Sequence, residues 1–172
     1  MINVSLADSD LAAFIERHAP GTLFYTQTWL NTIPRLYGYE IIPLISTSQQ
    51  GHITGFLPLC LMRSRLTGKR LVSLPFLDLF PLLAEDGASA NTLVDQAIEL
   101  AVREKVKYLE LRLGLNDALS DRTDLVRADL YVRWLMSLTA DPEKVWMTLR
   151  KPVQHQVKKS RKLGVQVRVG VP

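Results

Sequence analysis

Glu110 and Arg112 stand two positions apart in the run "VKYLELRL" (106–113). If the run is a strand, its side chains alternate, and both charges fall on one face within pairing distance. A structural ion pair is expected there. Arg112 also carries a planar fork that can hold a carboxylate or phosphate through two parallel hydrogen bonds. Tyr108 shares that face and could line a cleft. Asp78 stands alone in "RLVSLPFLDLF" (70–80). It is either a ligand group or half of an internal salt bridge, because a buried carboxylate needs a partner.

A third set of charges lies in "KPVQHQVKKSRK" (151–162), where Lys158 and Arg161 are candidate ligands for a phosphate. Helical spacing puts Lys151, His155, Lys158 and Lys162 on one stripe, with Trp146, Leu149, Val153, Val157 and Ser160 opposite. A solvated face, a phosphate-facing stripe and a membrane-surface helix share this pattern. Pro152 disfavours helix at Lys151, so the register before it need not continue after it.

Other chemistries find no support. The three histidines, His18, His52 and His155, are far apart, and with one cysteine a zinc site is not expected. There is no G-x-G-x-x-G, no G-x-x-x-x-G-K-[ST] and no G-x-S-x-G. Cys60 lies in "ITGFLPLCLM" and reads as a small buried hydrophobe in a reducing compartment. No signal-peptide pattern opens the chain, and no apolar run reaches the ~18 residues of a membrane span. The expected location is cytoplasmic, with a peripheral membrane position as the variant. Net charge is +4, but residues 141–172 hold eight Lys/Arg against two acids, which leaves the remainder at −2. A nucleic-acid binder fits poorly, since no aromatic follows Trp146 in the basic segment and the body is net negative.

The elements that must position these residues follow from periodicity. Asp8 or Ser9 caps a helix carrying Leu11, Phe14 and Ile15, which Pro20-Gly21 ends. A second helix runs from about Thr28 to Gly38, with Pro34 shortening or kinking it. Three β-like runs follow at hairpin spacing, 39–46, 52–62 and 70–80. Pro43, Pro58 and Pro75 in them argue for edges or bulges. "SANTLVDQAIELAVREK" is the clearest helix, with Leu93, Val94, Ala97, Ile98 and Ala101 on one stripe. Strands are expected at 106–113 and 131–139, then a helix capped by Asp141 with Pro142 at its first position. With a short apolar run at the start, the order is β-α-α-β-β-β-α-β-β, then α-β. That order gives an α/β (α+β) fold, a largely antiparallel mixed sheet flanked by helices. Residues 1–140 form the domain, and 141–172 a basic helix leading into a strand.

Several segments together resemble the FemAB/BioF2-like branch of the GNAT acyltransferase superfamily, and in particular its exosortase (PEP-CTERM)-associated FemAB type. They are "FYTQTWLNTIPRLYGYE", "GHITGFLPLCLMRSRLTGKRLVSLPFLDLF", "YLELR" and "WMTLRKPVQHQVKKSRKLGVQV". The resemblance implies a longer protein with two GNAT-like halves. This chain is then the first half plus the linker helix and first strand of the second. The implied function is N-acyl or aminoacyl transfer to a cell-envelope or exopolysaccharide precursor. The alternative is a catalytically inactive module that binds such a precursor or a partner protein. Trp29 and Arg35 fall in a segment similar to a substrate-contact region of Fem proteins. GNAT domains hold the coenzyme A pyrophosphate on a glycine-rich turn at a helix N-terminus. Here that turn is "DLFPLLAEDGASANT", with Gly87 beside two acids, so no cofactor is expected on this half. Acyl-CoA or aminoacyl-tRNA is the implied donor of the longer protein, and a small or lipid-linked precursor its acceptor.

Overall fold

The computed structural model describes residues 8–113, 119–128 and 134–168. The chain divides into two compact units, Met1–Leu125 and Val126–Pro172.

In the first unit, α1 (Ser9–His18) starts where the Asp8 carboxylate accepts from the Asp10 N–H. The helix α2 (Gln27–Tyr37) starts at Thr26, whose hydroxyl accepts from the Trp29 N–H, and stops at Gly38 with φ 67°. A side chain resists that left-handed conformation, and glycine does not. Pro34 is accommodated inside α2. The strands β1 (Glu40–Thr47), β2 (Ile53–Ser64) and β3 (Gly68–Ser73) form an antiparallel meander. β4 (Leu83–Ala84) pairs antiparallel with β2, and β5 (Leu109–Glu110) pairs parallel with β3. Between β4 and β5 runs α3 (Gly87–Glu104). Among the described residues the sheet is ordered β1-β2-β3-β5.

Helices cover both faces of this sheet, which explains why β2 is buried continuously from Gly55 to Met62. Phe56, Cys60 and Met62 pack with Leu11, Phe14, Leu30 and Ile33 of α1 and α2. Leu57, Leu59 and Leu61 pack with Leu93, Val94, Ala97 and Leu100 of α3. Gly55 is required where these layers meet. A Cβ there would lie 2.8 Å from the Leu93 methyl and 3.1 Å from the Leu83 carbonyl, and would also strike the Ser46 hydroxyl.

The prolines obey sheet geometry. Pro43 and Pro58 face each other across β1 and β2. The Thr54 carbonyl accepts from the Glu85 N–H on the β4 side, so alternate residues Phe56 and Pro58 aim their backbone groups that way. β4 pairing ends at Phe56 and β3 pairing begins at Leu59, so no ladder bond is lost at Pro58. Pro75 marks a departure. If β3 continued in register, Phe56 would meet Phe76; it meets Leu83 instead. Residues 74–82 therefore leave the sheet as an excursion, and the strand expected over 70–80 ends at Ser73.

The second unit contains α4 (Pro142–Thr148), capped by Asp141 as expected, and α5 (Lys151–Lys162). The strand expected over 131–139 is not formed at 134–139, whose residues are exposed; 131–133 lie outside the described residues. An alternating run becomes a strand only where a partner edge supplies its hydrogen bonds, and the described part of this unit contains no strand. Residues 165–168 likewise form no strand, and 169–172 lie outside the described residues, as does the short apolar run expected at the start. Among the described residues no helix is long and apolar enough to cross a membrane.

Candidate functional site

The α1/α2 face of the sheet carries the candidate site. There, register aligns residues from all four strands of the main path. Met62 pairs with Arg70, and Val72 with Glu110. One step along, Arg70 lies beside Tyr108, and Tyr39, just before β1, lies beside Met62. Side chains on one face of neighbouring strands form rows. The row Tyr39–Met62–Arg70–Tyr108 and the next row, with Val72 and Glu110, form a floor.

The excursion and α2 supply walls. Phe76 has φ 70° and an exposed ring whose centroid lies 4.7 Å from that of Tyr37. Tyr37 in turn stacks on Tyr39 at 5.7 Å. The result is a concavity of about 200 Å³ lined by Met62, Arg70, Val72, Pro75, Phe76, Tyr108, Glu110 and Arg112.

Arg112 fixes the excursion to β5. Its Nε donates to Glu110 Oε1 at 2.8 Å, the expected ion pair, and its Nη1 donates to the Leu77 carbonyl at 2.6 Å. Its backbone N–H donates to Ser73 Oγ at 2.7 Å, and its carbonyl accepts from the Phe80 N–H at 2.7 Å. Leu109, Leu111 and Leu113 pack on the opposite, α3 side, so the predicted alternation holds although regular pairing covers only two residues. Arg70 is less committed. It donates to the Tyr108 hydroxyl at 3.5 Å, and no carboxylate lies within 4.0 Å among the described residues.

The other expected site residues are dispersed. Asp78 is exposed on the excursion and forms no ion pair among the described residues, so the alternative of an internal salt bridge is not realised. Solvent removes its need for a partner. Trp29 packs edge-on to Phe24 at 5.2 Å, and its buried indole N–H has no hydrogen-bond partner among the described residues. Arg35 is exposed in the last turn of α2, about 120° around the helix from Trp29.

Lys158 and Arg161 are exposed on α5. Lys158 was expected opposite Trp146, but its ammonium lies 5.9 Å from the centre of the Trp146 ring. The chain is extended at Leu149 and Arg150, which breaks the register that a continuous helix would impose. Arg150 similarly covers Trp134, at 5.3 Å.

Sequence reasoning did not identify Arg70, Phe76, Tyr37 or Tyr39, because strand register aligns Tyr39 and Arg70 and the tertiary packing of the excursion on α2 brings Phe76 to Tyr37. It also missed Arg122, which bonds Asp124, Asp95 at 2.7 Å and the Asn91 amide oxygen at 3.2 Å. These partners tie residues 122–124 to α3.

At the start of α3, the Asp86 carboxylate accepts from the Ser89 N–H at 2.7 Å. That bond holds its carboxyl below the ordinary carboxylate value. The helix end that attracts anions thus carries a carboxylate of the chain itself.

No protein-family model and no curated protein matches the chain. Among solved structures it is similar to a crystal structure of FemX, with TM-score 0.50 and 19% identity over 64% of this chain and 26% of FemX. It is also similar to a ribosomal-protein-alanine N-acetyltransferase from Brucella melitensis biovar Abortus 2308, with TM-score 0.49 and 13% identity over 78% of this chain and 96% of that one. The chain spans about a quarter of the length of FemX. A mixed sheet between two helical layers is therefore a fold this chain shares with part of FemX.

Proposed function

We propose that this chain is the first, GNAT-like half of a FemAB-like N-acyl- or aminoacyltransferase acting on a cell-envelope or exopolysaccharide precursor. The observation that carries this reading is the fold shared with a quarter of FemX. The Asp86 cap on α3 adds a specific expectation. A cofactor pyrophosphate at that helix end would meet a carboxylate, so the acyl donor, acyl-CoA or aminoacyl-tRNA, is held elsewhere in a longer protein. The reaction is attack of an amine on an activated acyl group. The protein positions the amine and stabilises the tetrahedral oxyanion. Residues 141–172 act as the basic connector to a second half, with Lys158 and Arg161 available to a phosphate of precursor or donor. Trp29, Arg35, Asp78 and Arg112 are this half's precursor-binding candidates. The same reading places the protein in the cytoplasm or at the membrane surface.

The test compares the 172-residue chain with a longer protein that contains it, using an amine acceptor and each activated donor. Turnover by the longer protein alone is expected. Equal turnover by both, or none by either, would sink the proposal. The sheet-face concavity favours a second reading, a non-catalytic module for a precursor or partner protein, because such a site needs no second half to bind.

A further inference from the structure

The floor and walls of the concavity select a ligand chemistry. Its volume of about 200 Å³ lies below the range of ~300–1,000 Å³ for pockets that enclose drug-sized molecules. It suits one six-membered ring with its substituents. Phe76 and Tyr108, which line it, expose 58% and 43% of their surface, so aromatic surface is accessible to such a ring. Phe76 holds its position with φ 70°, a conformation that disfavours a bulky side chain. The Arg112 bonds to residues 73, 77 and 80 keep the excursion in place around it.

The polar groups narrow the choice. A purely apolar ligand would strip water from Arg70, Glu110 and the Tyr108 hydroxyl without replacing it. A cationic ligand is opposed, because the lining holds two guanidinium groups, Arg70 and Arg112, against the single carboxylate of Glu110, one oxygen of which Arg112 already occupies. The remaining Glu110 oxygen and the Tyr108 hydroxyl can bond hydroxyl groups. The guanidinium of Arg70 can bond a carboxylate or a phosphate.

We propose that this concavity binds an anionic monosaccharide, its ring against Phe76 and Tyr108 and its acidic group on Arg70. A uronic acid and a sugar phosphate present the same shared chemistry. The proposal deepens the precursor-binding reading above by naming the ligand class. It rests on that reading only for where such a sugar would arise; direct binding tests it without any turnover.

The experiment titrates the isotope-labelled 172-residue chain with glucuronate, glucose 6-phosphate, glucose and inorganic phosphate, following the amide signals of Arg70, Phe76 and Tyr108. At least one charged sugar is expected to saturate these shifts, and the tighter of the two identifies the acidic group. Neutral glucose should bind about tenfold more weakly, the loss of one charge-assisted contact. Arg70→Gln should erase that preference. Phe76→Gly should relax the backbone at residue 76, preserve the fold and abolish sugar binding. Phe76→Asn, whose side chain tolerates the same backbone conformation, is the second variant. The proposal is overturned if neither charged sugar saturates, or if both variant classes bind like the parent. It is also overturned if inorganic phosphate matches glucose 6-phosphate while glucuronate does not bind.

Discussion

Cys60 lies fully buried on the α1/α2 face of β2, and burial pushes its thiol from the ordinary 9.0 up to about 12, against a smaller opposing effect of the Arg70 charge. The Tyr25 hydroxyl, which donates to the Pro81 carbonyl, is raised by burial in the same direction. Between pH 9 and 12 the unfolded thiol has lost its proton and the folded thiol keeps it. The unfolded state then binds fewer protons, so stability is complete below the unfolded value and declines as pH rises through this window. The limiting slope is about 1.4 kcal/mol per pH unit for such a group. Thermal unfolding of the folded chain should therefore shift to lower temperature above pH 9, and a thiol reagent at pH 8 should label Cys60 only in denaturant. A flat pH profile, or rapid labelling of the native chain, would contradict the enclosure. Gly55→Ala provides a second test at this scale. Its Cβ would be forced against Leu93 and the Leu83 carbonyl, and overpacking of this kind costs about 1–3 kcal/mol in a urea titration. The buried cysteine was legible from its apolar neighbours in the sequence. The need for glycine at 55 was not, because the atoms that forbid a side chain belong to residues 46, 83 and 93.

At the level of elements, the excursion at 74–82 is the part most dependent on one side chain. Arg112→Gln removes the Glu110 ion pair and the Leu77 carbonyl bond while leaving both backbone bonds of residue 112 available. With the side chain 30% exposed, a loss of about 1–2 kcal/mol is expected. Its signature should be chymotrypsin cleavage near Phe76 or Phe80 before global unfolding. Unchanged cleavage would show that the backbone bonds suffice. The helix starts at Asp8 and Asp141 and the stop at Gly38 were legible because each depends on one residue's local chemistry. The alternation of Tyr108, Glu110 and Arg112 was legible for the same reason. The excursion was not: "VSLPFLDLF" reads as a continuing strand, and only the shift in pairing against β2 reveals the departure. The break at Leu149–Arg150 had a visible cause in Pro152, but the placement of Lys158 over Trp146 required the turn itself.

Across the whole chain, charge and burial are unevenly distributed. The first unit contains the buried core. In the second, α5 carries Lys151, Lys158, Lys159, Arg161 and Lys162, none with an acidic partner among the described residues. Lys158 and Lys162 lie four residues apart, a spacing at which like charges destabilise a helix by roughly 0.2–0.5 kcal/mol. Raising salt from low to physiological concentration should therefore strengthen α5, seen as a shift of its carbon resonances towards helical values. No shift would mean the charges are already neutralised. The expected fold class, a largely antiparallel mixed sheet flanked by helices, could be read from composition and periodicity. The concavity could not, because its floor is a cross-strand row, Tyr39, Met62, Arg70 and Tyr108, whose members meet only through register. β2 also has a dynamic consequence. It is buried from Gly55 to Met62, and Cys60 and Leu61 are paired with β1 on one edge and β3 on the other, so local fraying cannot expose their amides. Deuterium should enter the backbone of Cys60 and Leu61 only when the entire first unit opens. Their exchange rates in native buffer would then report the unit's global opening free energy, while those at β5 would report only its edge.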